Sequence, residues 1–288
     1  MVRSLWTAAT GMIAQQVNVD TIANNLANVN TTGYKTETNE FKSLLYQTLQ
    51  TRTTTANAEH KPIGAQVGLG VRNASITSQF TNGPLLESES NTSFAVQGKG
   101  FFSVRGNDGQ TYYTRNGEFN FSLANANGTL VLSNSDGLPV LGADGQPLQL
   151  PAQINGADVV ASRVTVDADG RICYPDDQNN AQPVGTNGQL NGEPVMTIGM
   201  TQFQNPKGLA KEGDSLYSVT VASGQPMNEA TNQNLEKSVI RQGYLEGSNV
   251  QVADEMVNLI VAQRAYELNS KAITTTDSMM DTANNLKR

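Results

Sequence analysis

The chain carries an apolar residue at every seventh position near each of its ends. In the N-terminal segment this row is formed by Leu5, Met12, Val19 and Leu26. In the C-terminal segment it is formed by Val252, Leu259, Tyr266, Ile273 and Met280. A sustained seven-residue repeat is typical of a helix that packs along another helix. The pattern therefore predicts two long amphipathic helices that pair with each other.

The limits of the two helices follow from the residues around them. The first is predicted over residues 1–30 and should end near Gly33, which can adopt a left-handed terminal conformation. The second is predicted over about 250–286, with Ser248 and Gln251 as a capping box. Beside its apolar row runs a row of small residues that would allow close helix approach: Ala262, Asn269, Thr276 and Ala283.

The N-terminal helix is almost uncharged, since only Arg3 and Asp20 carry charge before residue 30. Its polar positions are amides and hydroxyls instead: Gln15, Gln16, Asn18, Thr21, Asn24, Asn25 and Asn28. A lone surface helix normally has a charged outer face. We therefore expect this helix to be buried among other helices, with its amides bonded to neighbouring chains. The alternative is an ordinary helix of an intramolecular bundle.

Between about residues 71 and 221 the pattern changes to short strand-like runs separated by turns. The clearest runs are 93–96, 101–104, 129–132, 163–166 and 216–219. The turns between them are marked by Asp108-Gly109, Asn116-Gly117, Asn127-Gly128, Asp136-Gly137, Asp144-Gly145 and Asp169-Gly170. Such dipeptides between apolar runs are strong hairpin signals, so this region is predicted to be an antiparallel β domain. The Asn- and Gly-rich stretches 122–134 and 173–192 are expected to be surface loops.

Together these patterns predict an α+β fold that is mainly β, in which an antiparallel β domain is carried on a coiled-coil stalk formed by the N- and C-terminal helices. We expect residues 1–35 and 248–288 to form one discontinuous helical domain. Residues 71–221 would form a β-rich outer domain. Residues 36–70 and 222–247 would then be extended connecting segments.

Composition excludes several classes of function. Of the 288 residues only 16% are charged and the net charge is −7, so binding to a nucleic-acid backbone has no electrostatic basis. A single cysteine, Cys173, excludes an internal disulfide. No apolar run approaches the roughly 20 residues of a membrane helix, so membrane insertion is not expected. The N-terminal segment lacks the continuous apolar run of a secretory signal peptide, and a cleaved leader is not expected either.

Candidate catalytic residues do not combine into a recognisable site. The only histidine, His60, lies in a polar segment and forms no nucleophile–base motif with Cys173. The segment 97–102 (QGKGFF) begins like a dinucleotide-binding motif but lacks its third glycine and continues as a strand. The segment 167–170 (DADG) begins like a calcium loop but lacks the terminal glutamate. We therefore expect no enzyme activity, no cofactor and no metal.

The motifs at the two ends resemble those of bacterial flagellar basal-body rod and hook proteins. At the N-terminus these are residues 5–12 (LWTAATGM), 18–30 (NVDTIANNLANVN) and 31–35 (TTGYK). At the C-terminus they are residues 242–250 (QGYLEGSNV) and 262–267 (AQRAYE). The segments 98–102 (GKGFF) and 113–117 (YTRNG) resemble internal family motifs. The opening residues 1–6 and the long segment 46–71 most resemble the distal rod members of the family.

This resemblance implies a structural axial subunit that polymerises helically into a hollow, rigid shaft and transmits torque from motor to hook. Its partners would be further copies of itself, neighbouring proximal rod and hook-junction proteins, the rings that surround the rod, and the flagellar export apparatus. Its location would be the flagellar basal body in the cell envelope. Contacts between subunits would involve the two apolar rows together with Asn24, Asn25 and Asn28.

The polar, Thr-rich segment from Thr48 to Gln66 is expected to be extended or to become ordered only against partners. By resemblance, this segment, which includes Thr54 and His60, would pack on adjacent subunits and stiffen the shaft. Because one copy cannot bury both helical rows, we also expect the terminal helices to be poorly ordered in a monomer. The alternatives are a proximal rod or hook subunit, a monomeric secreted β-rich binding module, and a cell-wall-cutting enzyme.

Overall fold

The computed structural model describes residues 2–50, 65–123, 128–154, 157–176, 178, 180–186, 188–232 and 234–286. The chain forms two compact units. Unit 1 consists of residues 1–27, 37–79 and 250–288, and unit 2 consists of residues 28–36 and 80–249. The expected connecting segment up to residue 70 thus lies, from residue 37 onward, in the same unit as the two terminal helices. The division into an axial core and an outer domain stays a prediction.

Unit 1 combines two long helices with two antiparallel strand pairs. Its elements are α1 (Val2–Ala27), β1 (Glu37–Ser43), β2 (Tyr46–Gln50), β3 (Ala65–Gly68), β4 (Val71–Ser78) and α2 (Val252–Asn285). Strand β1 pairs with β4, from Glu37 opposite Ser78 to Ser43 opposite Val71. Strand β2 pairs with β3, with Tyr46 opposite Gly68. Neither helix among the described residues is long and apolar enough to span a membrane.

The helix ends differ from the expected caps in one respect. Helix α1 ends at Ala27, and Gly33 completes the following turns with a φ angle of +71°, as predicted. Helix α2 begins at Val252 with Gln251 as its N-cap and without a side-chain capping bond, so the predicted Ser248 capping box is wrong. The chain before the helix still belongs to the β-rich unit, because residues 244–246 form a strand and the residue 247 N–H donates to the Pro84 carbonyl at 2.8 Å. The helix therefore starts three residues later than a Ser248 cap requires.

Unit 2 is built from short antiparallel strands. They are β5 (Leu85–Glu87), β6 (Phe94–Gln97), β7 (Phe101–Arg105), β8 (Thr111–Thr114), β9 (Asn120–Leu123), β10 (Leu130–Ser133), β11 (Gln149–Leu150), β12 (Gln153–Ile154), β13 (Ala157–Asp158), β14 (Thr165–Val166), β15 (Ile172–Pro175), β16 (Ala181–Pro183), β17 (Met200–Gln202), β18 (Ala210–Gly213), β19 (Leu216–Ser218), β20 (Met227–Asn228), β21 (Val239–Gln242) and β22 (Tyr244–Glu246). The largest sheet has the order β18-β19-β8-β7-β17-β20. Short 3₁₀ turns lie at Ala161–Arg163 and Pro206–Gly208.

Two hydrophobic clusters cover the two faces of this largest sheet. Neighbouring residues of β7 point to opposite faces, as the pleat requires. Phe102 and Val104 join the larger cluster, which extends over β6, β10, β15 and β21. Phe101 joins a smaller aromatic cluster with Tyr113 and Tyr217. The sheet is therefore buried on both faces, which explains why apolar residues in β7 are consecutive rather than alternating.

The predicted mainly β fold, with antiparallel sheets and a helix at each end, is confirmed. The prediction of surface loops at 122–134 and 173–192 is wrong. Both stretches contain strands, and Leu132 and Val184 within them are buried in the larger cluster. The strands in these stretches are only three or four residues long, so the polar residues around them dominate the sequence pattern.

Candidate assembly interface

The contact between α1 and α2 is antiparallel and is made by small and polar residues. A Cβ atom added to Gly11 would lie 3.0 Å from the Asn269 Nδ2 atom, so the two helices come close at this point. Nearer the other end of the pair, Asn25 Nδ2 donates to Glu255 Oε2 at 3.3 Å. Both contacts fit one antiparallel register. The buried positions of α2 are Glu255, Ala262 and Thr276, so the contact follows the small-residue row.

The predicted apolar rows flank this contact and are only partly covered. Four predicted positions of α1 are half-buried: Leu5, Met12, Val19 and Leu26. In α2 the half-buried ones are Leu259, Ile273 and Met280, whereas Val252 and Tyr266 are exposed. Glycine and other small residues allow two helix backbones to come closer than Leu or Met would. The role of the apolar rows in contacts between subunits stays a prediction.

The amides of α1 bind a strand of their own chain. Asn25 is buried, its Nδ2 donates to the Glu37 carbonyl at 2.8 Å, and its Oδ1 accepts the Glu37 N–H at 2.9 Å. Asn39 Nδ2 donates to Thr21 Oγ1 at 2.8 Å and to the Val17 carbonyl at 3.2 Å. These bonds attach β1 to the helix. The amide-rich composition is therefore at least partly explained within unit 1, which periodicity alone could not indicate.

The other two asparagines predicted at the subunit contact lie in different environments. Asn24 is exposed on α1, and Asn28 is half-buried just after the helix. The Asn28 Oδ1 atom accepts a hydrogen bond from Thr31 Oγ1 at 3.1 Å. Asn28 thus helps to shape the turn that follows α1.

Other apolar side chains of unit 1 are exposed on both helices. On α1, Trp6 and Ile13 are one heptad apart and 66% and 64% exposed. On α2 the exposed apolar residues include Met256, Val257, Ile260, Val261 and Leu268. We call these seven residues the outer apolar face. A helix with apolar residues on opposite sides needs partners on both sides.

The segment predicted to stiffen the shaft is partly a β hairpin. Thr48 lies opposite Gln66 in the β2–β3 pair, and Gln66 Nε2 donates to Thr48 Oγ1 at 3.5 Å. The exposed side chains of this hairpin include Leu45, Tyr46 and Leu49. Thr54 and His60 lie outside the described residues.

Unit 2 contains a buried ion cluster formed by Lys35, Arg115 and Glu246. The Lys35 Nζ atom lies 2.6 Å from Glu246 Oε1, and Arg115 NH1 lies 3.4 Å from Glu246 Oε2. All three side chains are at most 1% exposed. All three residues lie in motifs that resemble the family, but the sequence did not predict that they meet. Glu246 is more than a hundred residues away from each of its two cations.

Two cations share one carboxylate, and backbone oxygens and an aromatic ring supply the remaining negative potential. Lys35 Nζ donates to the Thr81 carbonyl at 2.8 Å, and Arg115 NH2 donates to the Gly98 carbonyl at 2.8 Å. The Arg115 guanidinium also lies 4.9 Å from the centre of the Phe101 ring. Burial lowers the pKa of Lys35 and of Arg115, and in both cases the nearby Glu246 carboxylate opposes that shift.

Three further bonds bring the same segments together. The Gly33 N–H donates to the Glu246 carbonyl at 2.8 Å. The N–H and the Oγ1 of Thr36 both donate to Asn249 Oδ1, each at 2.8 Å. Gly33 cannot carry a side chain here, since a Cβ atom would lie 2.6 Å from the Asn116 backbone nitrogen.

The polar residues around a cleft of unit 2 and the nearby 97–102 motif have structural roles. A cleft of about 230 Å³ is lined by Asp169 and Glu229 among others. The Glu229 carboxylate is buried and accepts hydrogen bonds from Ser238 and Gln202. Gly100 of the 97–102 motif lies so close that a Cβ atom would be 2.5 Å from Glu229 Oε1, so it fits a crowded strand entry. Among the described residues, no group of three metal-ligating side chains converges.

Comparison with known families identifies the chain along its whole length. A family model described as "Flagella basal body rod protein" matches residues 5–35. Another, "Flagellar hook protein FlgE/F/G D1 domain", matches residues 95–174, and "Flagellar basal body rod FlgEFG protein C-terminal" matches residues 241–286. The flagellar basal-body rod protein FlgG of Borreliella burgdorferi is 40% identical over 294 residues, which cover 100% of both chains. The chain belongs to the flagellar basal-body rod protein family.

Other members of the rod protein family align with similar completeness. FlgG of Agrobacterium fabrum is 40% identical over 279 residues, which cover 96% of each chain. FlgG of Bacillus subtilis is 33% identical over 290 residues, which cover 100% of each chain. The resemblance inferred from the terminal motifs is therefore confirmed. The three residues of the ion cluster fall one in each segment matched by a rod or hook family model.

We predict that Glu246→Gln destabilises unit 2 by about 3 kcal/mol, because it leaves two buried cations without their carboxylate. The free energy of unfolding is measured by urea titration followed by circular dichroism. The matched control is Glu236→Gln, which removes an exposed partner 3.9 Å from Lys99. This control should change stability by less than about 1 kcal/mol. Equal effects of the two substitutions would refute the assigned role of the cluster.

Proposed function

We propose that the chain is a structural axial subunit of the bacterial flagellar rod, in its distal part. Many copies would polymerise helically into a hollow, rigid shaft that transmits torque from motor to hook. Full-length similarity to flagellar basal-body rod proteins supports this proposal. The structural observation that carries it is the outer apolar face, because the chain's own α1–α2 contact leaves that face exposed.

Polymerisation requires that the two surfaces meeting between copies differ from each other. In this proposal the outer apolar face of one copy docks on a different surface of the next, so each added copy exposes a fresh face of its own. Such heterologous contacts propagate into open helical filaments when they do not close into a ring. In this proposal α1 and α2 form a coiled-coil stalk in the core of the shaft, and the β unit lies outside.

The wider setting is part of the same proposal. The chain would act at the flagellar basal body, beside proximal rod and hook-junction proteins and within the rings that surround the rod, after delivery by the flagellar export apparatus. Its role would be mechanical, without catalysis. A proximal rod subunit, a hook subunit and a monomeric binding module are not favoured by the full-length relatives.

We expect concentrated full-length protein to form straight filaments and Ile260→Asp to abolish them, because the substitution places a charge in the outer apolar face. Negative-stain electron microscopy is the measurement. Asn258→Asp, which adds a charge at an exposed polar position of the same helix two residues before Ile260 and therefore on a different side, is the matched control and should still polymerise.

Filaments of Ile260→Asp that match the wild type would contradict the proposed interface. Curved wild-type filaments would point to a hook-like subunit instead. If the wild type does not polymerise alone, the same pair of variants is compared on a pre-assembled rod template.

The segment from residue 48 to residue 66 is expected to stiffen the shaft. Deleting residues 48–66 should give more flexible or curved filaments, because contacts with adjacent subunits are lost. Persistence length is measured from electron micrographs. A variant with a Gly/Ser linker of equal length in place of residues 48–66 separates loss of these side chains from loss of chain length. Unchanged stiffness in both variants would contradict this assignment.

We predict that the terminal helices are poorly ordered in dilute monomer and fold on assembly. The α1–α2 contact buries small and polar residues, so the isolated pair gains little hydrophobic stabilisation. Far-ultraviolet circular dichroism should show helix content that rises when the protein polymerises. Two fully formed helices in a dilute monomer would show that the intrachain contact is sufficient.

A further inference from the structure

The backbone passes between unit 1 and unit 2 at four points, after residues 27, 36, 79 and 249. The chain first enters unit 2 after Ala27 and last leaves it before Val250. Force that pulls on the two terminal helices along the backbone therefore reaches unit 2 through its first segment, residues 28–36, and its last segment, residues 244–249. What joins these two segments determines how unit 2 responds to that force.

The two segments are bonded directly to each other at three successive levels. The Gly33 N–H binds the Glu246 carbonyl, and the Lys35 ammonium binds the Glu246 carboxylate at 2.6 Å. Thr36 donates twice to the Asn249 side chain. Residues 28–36 are not part of a β-strand, so the connection is made largely by side chains.

The joined segments are also anchored to the body of unit 2. Arg115 binds the Glu246 carboxylate on one side and the Gly98 carbonyl on the other. Lys35 binds the Thr81 carbonyl, and Asn249 Nδ2 donates to Thr81 Oγ1 at 2.8 Å. The Gly83 N–H donates to Glu246 Oε1 at 3.1 Å. Glu246 thus lies at the centre of a network that includes both segments and the sheet region.

We propose that the Lys35–Glu246–Arg115 cluster is a mechanical clamp that holds the entering and leaving segments of unit 2 together under load. A carboxylate shielded from water holds its cations strongly, and water cannot replace them until the segments have separated. Pulling these two segments apart must break this cluster. The role of this clamp in a torque-carrying shaft rests on the proposed function. Its mechanical resistance can be measured on a single chain.

The clamp predicts an effect that depends on the direction of force. In full-length protein with Cys173→Ser, handles are attached at the exposed positions Asn30→Cys and Gln251→Cys. Asn30 precedes the bonded residues of the first segment, which begin at Gly33, and Gln251 follows the last segment. A second protein carries handles at Asn107→Cys and Gln178→Cys, which are exposed loop positions of unit 2. Unfolding rates under constant force are measured with optical tweezers on both axes.

With the clamp, Glu246→Gln should accelerate unfolding roughly tenfold or more along the 30–251 axis, because the cluster is already broken in the transition state on that axis. Along the 107–178 axis the acceleration should be much smaller. Glu236→Gln should change neither rate. If Glu246→Gln does not fold, Thr36→Val, which removes only the Oγ1 bond to Asn249, should show the same axis dependence at smaller size.

Equal acceleration along both axes would reduce the cluster to general stabilisation and overturn the clamp. An absence of effect along the 30–251 axis would overturn it as well. Neither result bears on polymerisation, which the filament experiments test separately, so failure of the clamp and failure of the proposed function are distinguishable.

Discussion

The β unit depends on one buried carboxylate, that of Glu246. Its two oxygens bind Lys35 and Arg115, and its backbone carbonyl accepts the Gly33 N–H. A single buried carboxylate that satisfies partners from three distant parts of the chain makes folding of these parts mutually dependent. The cost of burying charge is large, and it is offset here by close pairing, backbone carbonyls and the Phe101 ring.

Unit 1 follows a different principle, in which apolar surface is left uncovered. The intrachain contact of α1 and α2 consists of positions such as Gly11, Asn25 and Ala262, whereas Val257, Ile260 and Val261 remain exposed. A monomeric protein would gain stability by placing the larger residues in the contact. This distribution fits a chain whose stability is completed by other copies, in agreement with its membership of the rod protein family.

Periodicity and turn dipeptides predicted the element types well but their contacts poorly. The heptad rows located both helices correctly, but the residues of these rows flank the α1–α2 contact and do not form its centre. Periodicity identifies the faces of a helix and does not show which face packs against the partner helix. The Ser248 cap and the loops at 173–192 were wrong because residue 247 is bonded to Pro84 and Val184 is buried in the core. Local sequence contains no information about those distant partners.

By itself the sequence determined the helices at the two ends, the antiparallel β region and, through its terminal motifs, the family. These properties depend on residues that are close in sequence or on the residue order of short motifs, so they can be predicted from the sequence. Only the tertiary structure decided that Asn25 binds β1 and that Lys35, Arg115 and Glu246 form one buried cluster. Ion pairs between residues far apart in sequence arise only when the folded backbone brings them together and excludes water.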